Sequence, residues 1–317
     1  MPDMRPYRAS RFPRGSWVVS LVAAVLPIFL GSCGDAVMKD WQAAYDTGVI
    51  SNHDPAQQLI LLKEAKRLSD SINDVDVKLK TNDALASTFT RTGAFQDAVK
   101  TRLDNVTLLK SDTARGADLS VAYAQLAMAY DDEKQVTSAM EAANKGWQIS
   151  LTAKPSITKE QKAELLMAKG MAEAMSGDDH GPADIQAAFK IHKNLWGADD
   201  VRVLSDMDCL ALAYEHTGDV DKAIDTEHKV VDARERLFQN WDPSVYKSLQ
   251  LYLDLLELGG RKAEALEVDA KLTKRLAEFA DQSPTGLKSG ADVFVHGYYS
   301  PMKPDLKAPR GHFQKSS

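Results

Sequence analysis

The sequence predicts an all-α solenoid of about six stacked helical hairpins, and three observations carry the prediction. A self-similarity of about 42 residues runs through most of the chain, the mark of a repeat architecture. A small residue recurs at two fixed places in each period. Strand signals are nearly absent, Val293-Phe294-Val295 being the single short candidate. Composition excludes several alternatives. With 39 Lys+Arg against 45 Asp+Glu over 317 residues, the chain lacks the basic footprint of a general nucleic-acid binder. Two cysteines cannot build a disulfide framework or a Cys-rich zinc site.

Residues 1–32 read as an export signal. Arg5, Arg8, Arg11 and Arg14 are opposed only by Asp3, and Trp17 to Leu30 form an apolar run broken by Ser20 and Pro27. Such a run is shorter than the roughly 20 residues that span a bilayer as a helix. A basic start, a short apolar stretch and small residues after it fit a secretory signal, with a short signal anchor as the alternative. Leu30-Gly31-Ser32-Cys33 resembles the lipobox of bacterial lipoproteins. That resemblance implies cleavage before Cys33, diacylation of its thiol and a lipidated N-terminus at 33–35. With Gly34 after the cysteine, it further implies the outer membrane of the cell envelope, facing the periplasm. Two or three acyl chains anchor a protein stably where one does not. Removing 1–32 takes away four Arg and one Asp, so the expected mature chain carries −9 rather than −6.

Residues 36–280 carry the repeats. Leu210, Ala211, Tyr214, Gly218 and Ala223 recur 42 residues on as Tyr252, Leu253, Leu256, Gly260 and Ala265. Leu85, Ala86, Phe89 and Ala98 recur 41 residues on as Leu126, Ala127, Tyr130 and Ala139. One series reads Ala44, Ala86, Ala127, Ala168, Ala211, Leu253; a second reads Ala56, Ala98, Ala139, Ala183, Ala223, Ala265. Apolar residues at i, i+1 and i+4 mark one face of a first helix, and Gly218 ends it. Asp219 is placed to cap a second helix, whose Ala223 must lie close against the first. Ser51, Lys134 and Met175 stand at the glycine position in the first, third and fourth copies.

The pattern L-A-x-x-Y-x-x-x-G-x-x-x-x-A resembles the tetratricopeptide repeat, and the longer period resembles its kinesin-light-chain-like variant. The resemblance implies a right-handed superhelix whose first helices line a concave, partner-binding face. Carrying over its groove positions nominates Arg91, Asp131, Asp132, Lys169, Asp208, Glu215, His216, Asp254 and Glu257. The Lys/Asn pair with which some family members clamp a terminal carboxylate is missing. The groove leans acidic toward its C-terminal half, so a basic or amphipathic protein or peptide partner is expected. The tail, 281–317, is rich in Pro and Gly and reads as largely disordered, with docking of Val293 to Tyr299 on the last repeat as the alternative.

No catalytic, cofactor or metal signature appears: phosphate-loop, dinucleotide, nucleophile-elbow and zinc-protease motifs are all missing. Asp178-Asp179-His180 with Asp184 lacks a calcium-loop pattern and reads as a polar turn. Cys209 precedes a core pair and reads as a small hydrophobe, without a disulfide partner if Cys33 is acylated. The expectation is therefore a non-catalytic, lipid-anchored interaction scaffold in the bacterial envelope. The alternative is an accessory subunit that binds a small molecule or glycan for an envelope enzyme or transporter.

Overall fold

The computed structural model describes residues 22–49, 55–238 and 242–282; the basic N-terminal segment and most of the tail lie outside them. Helices account for nearly all of the described residues, and no strand occurs among them. An inner layer consists of α1 (Val22–Val49), α3 (Val75–Arg91), α5 (Gly116–Asp132), α7 (Lys159–Met175), α9 (Val201–His216) and α11 (Pro243–Leu258). The outer layer consists of α2 (Pro55–Ser71), α4 (Phe95–Lys110), α6 (Val136–Ser150), α8 (Gly181–Trp196), α10 (Val220–Leu237) and α12 (Lys262–Gln282). Each helix packs on the one before it and the one after it. In addition α5 touches α7, and α7 touches α9, while among the described residues no two outer helices make comparable contact. Crowding of alternate helices on one side is what makes that side concave.

Local sequence sets the boundaries. Four inner helices start at side-chain caps: Asp74, Thr158, Asp200 and Asp242 accept backbone N–H bonds, and Thr158 forms a capping box with Gln161. Five inner helices end the same way. Gly93, Lys134, Gly177, Gly218 and Gly260 all have positive φ. The following N–H reaches five residues back in each case, as in Asp219 to Tyr214 at 2.7 Å and Gln135 to Tyr130 at 2.8 Å. This closure satisfies helix-end carbonyls and needs a left-handed residue, which glycine adopts without strain. Lys134 is the one non-glycine residue among the described residues that does so.

The structure corrects three expectations, one of them a register. In the fourth copy the left-handed residue is Gly177, two places after Met175, so the small inner position falls on Gly170 rather than Ala168. Its outer counterpart is Gly181, which is buried, and not Ala183, which is exposed. A Cβ on Gly181 would sit 2.5 Å from the Gly170 carbonyl oxygen, so the two helices touch backbone to backbone. In the first copy Ala56 is exposed, and Gln58, at 1% exposure, is buried and accepts from Arg91 of α3. Asp219 does not cap α10; its carboxylate pairs with Lys222, because the tight turn leaves Asp219 off the extended backbone a cap requires. Elsewhere the alanine series is as expected, with Ala86, Ala127, Ala211, Ala98, Ala139 and Ala223 essentially sealed between the layers.

Candidate functional site

The concave face brings charged groups from distant repeats into one field. Arg102, on outer helix α4, reaches between α3 and α5, pairing with Asp83 and donating to Gln125 Oε1 at 2.7 Å. Its guanidinium also feels Glu164 on α7 and Asp132 at the end of α5. Asp132 accepts from Thr90 at 3.3 Å and feels Lys247 on α11, three repeats onward. Charges this far apart in sequence interact only because the inner helices converge.

Carboxylates in this field are short of compensation. Burial pushes Asp132 up to about 6 against the opposing pull of Thr90, Lys247 and Arg102. Burial, reinforced by Glu160, pushes Glu164 up to about 6. Burial also holds Asp83 above the usual carboxylate range despite Arg102 and Asn105. Behind Asp132 lies Asp131, 8% exposed, with no hydrogen-bond partner on either carboxylate oxygen. Burial and the Asp132 charge push it up to about 8. The last turn of α5 holds no basic residue, although a helix C-terminus carries partial negative charge and disfavours acids. Taking carboxylates out of water costs several kcal/mol unless they are paired, so this region is locally unfavourable by itself.

Not every nominated residue lies on this surface. Asp132, half-buried, belongs to the charged field, and Asp131 lies beside it. Glu215 is half-buried, while His216 and Glu257 are exposed, at the ends of α9 and α11. Asp254 is half-buried and accepts from Gln250 at 3.0 Å. Arg91 is exposed but turns toward α2, donating to Gln58. Two assignments are corrected. Lys169 lies off the groove: with the fourth copy shifted by two residues it faces its own hairpin, 2.6 Å from both Asp184 on α8 and Glu173. Asp208 is 5% exposed and forms a two-point pair with Arg234 of α10 at 2.6 and 2.9 Å. It is a packing residue, since Arg234 wedges between α9 and α11 and also reaches Ser248.

The field also contains residues that the repeat frame passes over. Glu164 was missed because the two-residue shift moves it into the groove. Arg102 sits on an outer helix, where the frame assigns no groove position. Cys209 is half-buried beside Leu210, and desolvation, with Asp208 adding, pushes its thiol up to about 12, which leaves it unreactive. No group of three or more metal-ligating side chains occurs among the described residues, and Asp184 is taken by Lys169. Cys33 falls within the span of α1, but its side chain lies outside the described residues. No described helix is long and apolar enough to cross a membrane.

Solved structures share this architecture. The kinesin-light-chain-like TPR repeats of Podosopora anserina superpose with a TM-score of 0.50 at 18% identity, covering 67% of this chain and 100% of that one. BtubC (BKLC) from P. vanneervenii gives 0.52 at 18% identity, covering 78% and 94%. The chain has the fold of a tetratricopeptide-like repeat protein. Aspartyl phosphate phosphatase F from Bacillus subtilis is also similar in fold, at TM-score 0.53 and 13% identity, covering 90% of this chain and 74% of that one. No family model and no curated protein matches the sequence.

Proposed function

We propose that this tetratricopeptide-like array is a non-catalytic scaffold that holds a protein partner in its concave face, tethered to the bacterial envelope through acylated Cys33. One observation carries the partner half of the reading: the inner helices bring the desolvated carboxylates Asp132 and Glu164 to the concave face, where Arg102, Lys247 and His192 offset their charge only in part. Such a surface favours a basic or amphipathic partner by field complementarity. The lipobox-like Leu30-Gly31-Ser32-Cys33 supports the tether, and Gly34 supports the outer membrane facing the periplasm. In this reading 33–35 is the lipidated end, 36–280 the array and 281–317 an appended tail.

Photocrosslinking tests the scaffold. A benzoylphenylalanine at Leu212, in the groove, should give a discrete partner adduct in intact cells, while one at Lys190, exposed on α8, should not. Adducts from Lys190 alone, or from neither site, would contradict the reading. The tether is tested separately, since a Cys33→Ala chain that still sediments with membranes excludes lipidation as the anchor.

A further inference from the structure

We propose that the occupant of the groove is an extended polybasic segment, with one lysine or arginine seated among Asp83, Asp132 and Glu164 and further ones passing Glu215 and Glu257. This deepens the scaffold reading and rests on it. Four features of the concave face point to that chemistry.

The first is an imbalance of charge. Asp83, Asp132 and Glu164, from α3, α5 and α7, all act on one cation, Arg102, which is already held by Asp83 and Gln125, and Lys247 is the further lysine that Asp132 feels. The second is Asp131, nine-tenths buried directly behind Asp132, whose two carboxylate oxygens have no hydrogen-bond partner among the described residues. The third is the position of the acids. Asp131 and Asp132, Glu215 and Glu257 all lie in last turns of inner helices, where the helix dipole adds to their negative potential. An arriving cation would relieve both the like-charge crowding and the dipole conflict.

The fourth feature separates a lysine- or arginine-bearing segment from a bare cation. With the fourth copy's register corrected, one equivalent position on α5, α7 and α9 holds Met128, Met171 and Leu212. Met128 is 38% exposed, and the other two are half-buried. This gives an apolar strip beside the acids, suited to the aliphatic stems of lysine and arginine, whose charged heads reach out to the carboxylates. Packed helices lie about 8–10 Å apart. An extended chain advances about 3.3 Å per residue, so basic residues at every third place would match successive inner helices.

The test uses the full chain and two fluorescent dodecapeptides of identical composition, one with lysine at every third residue and one with its lysines clustered at one end. A third peptide carries glutamate in place of lysine. The spaced peptide is expected to bind at least tenfold more tightly than the clustered or the acidic one by fluorescence anisotropy. Replacing Asp132→Asn and Glu164→Gln together should cost at least tenfold of that affinity while helical circular dichroism and melting are retained. Equal binding of the spaced and clustered peptides, or undiminished binding by a folded double variant, would overturn the proposal. If the basic peptides fail while the Leu212 crosslinker still captures a partner, only the polybasic occupant is lost. If the crosslinker captures nothing either, the scaffold reading falls with it.

Discussion

Asp131→Asn should make the array more stable, and the gain should depend on pH. The carboxyl is pushed up to about 8 in the folded chain by burial and by Asp132. Unfolded, it would titrate near 3.9. Because the folded value is the higher one, the native state binds the extra proton between those limits, and stability falls as pH rises from about 4 to about 8. Linkage sets a ceiling of about 5 kcal/mol on the penalty at pH 8. Relaxation and water entry lower such ceilings, and a buried asparagine keeps an unpaired-amide cost, so a gain of about 1–2 kcal/mol is expected at pH 8. For a chain of this length that is an increase in Tm of roughly 2–8 °C. Urea unfolding of parent and variant at pH 8 and pH 5, followed by circular dichroism, measures it. The gain should shrink at pH 5, where the native parent is already protonated. A variant less stable than the parent at pH 8, or a gain that ignores pH, would refute the reasoning.

Other substitutions test the packing. Arg234→Met leaves Asp208 buried without its partner and should cost about 3–5 kcal/mol in urea melts. Gly181→Ala forces a Cβ toward the Gly170 carbonyl and should destabilise by about 1–3 kcal/mol, separating α7 from α8. Lys134→Gly removes the strain of a left-handed lysine and should raise stability by about 1 kcal/mol, visible as a higher urea midpoint at unchanged slope.

The hairpin architecture was legible because its signals are local and repeat. Gly218 and Gly260 end helices where the period places them, and Ala223 and Ala265 pack where a small residue is required. The fourth copy misled because Ala168, Gly170, Ala172 and Ala174 are all small, so composition cannot choose among registers. Only the left-handed turn at Gly177 decides it. In the first copy Gln58 is sealed while Ala56 is exposed, because Arg91 engages the Gln58 amide. The charged site was legible only in part. Asp132 lies at a groove position of the repeat frame, whereas Arg102 and Arg234 enter from outer helices and depend on long-range geometry that no spacing rule contains. Arg234 also explains why Asp208 turns inward, since a position facing solvent in one array becomes a packing position once a neighbouring arginine reaches it.

Hydrogen exchange on the full chain, with and without the spaced lysine peptide, tests the central claim most directly. The account predicts added protection in the last turns of α5, α9 and α11 and along the Met128–Met171–Leu212 strip, with the outer faces of α4, α8 and α10 unchanged. Protection confined to the outer helices, or none at saturating peptide, would contradict it.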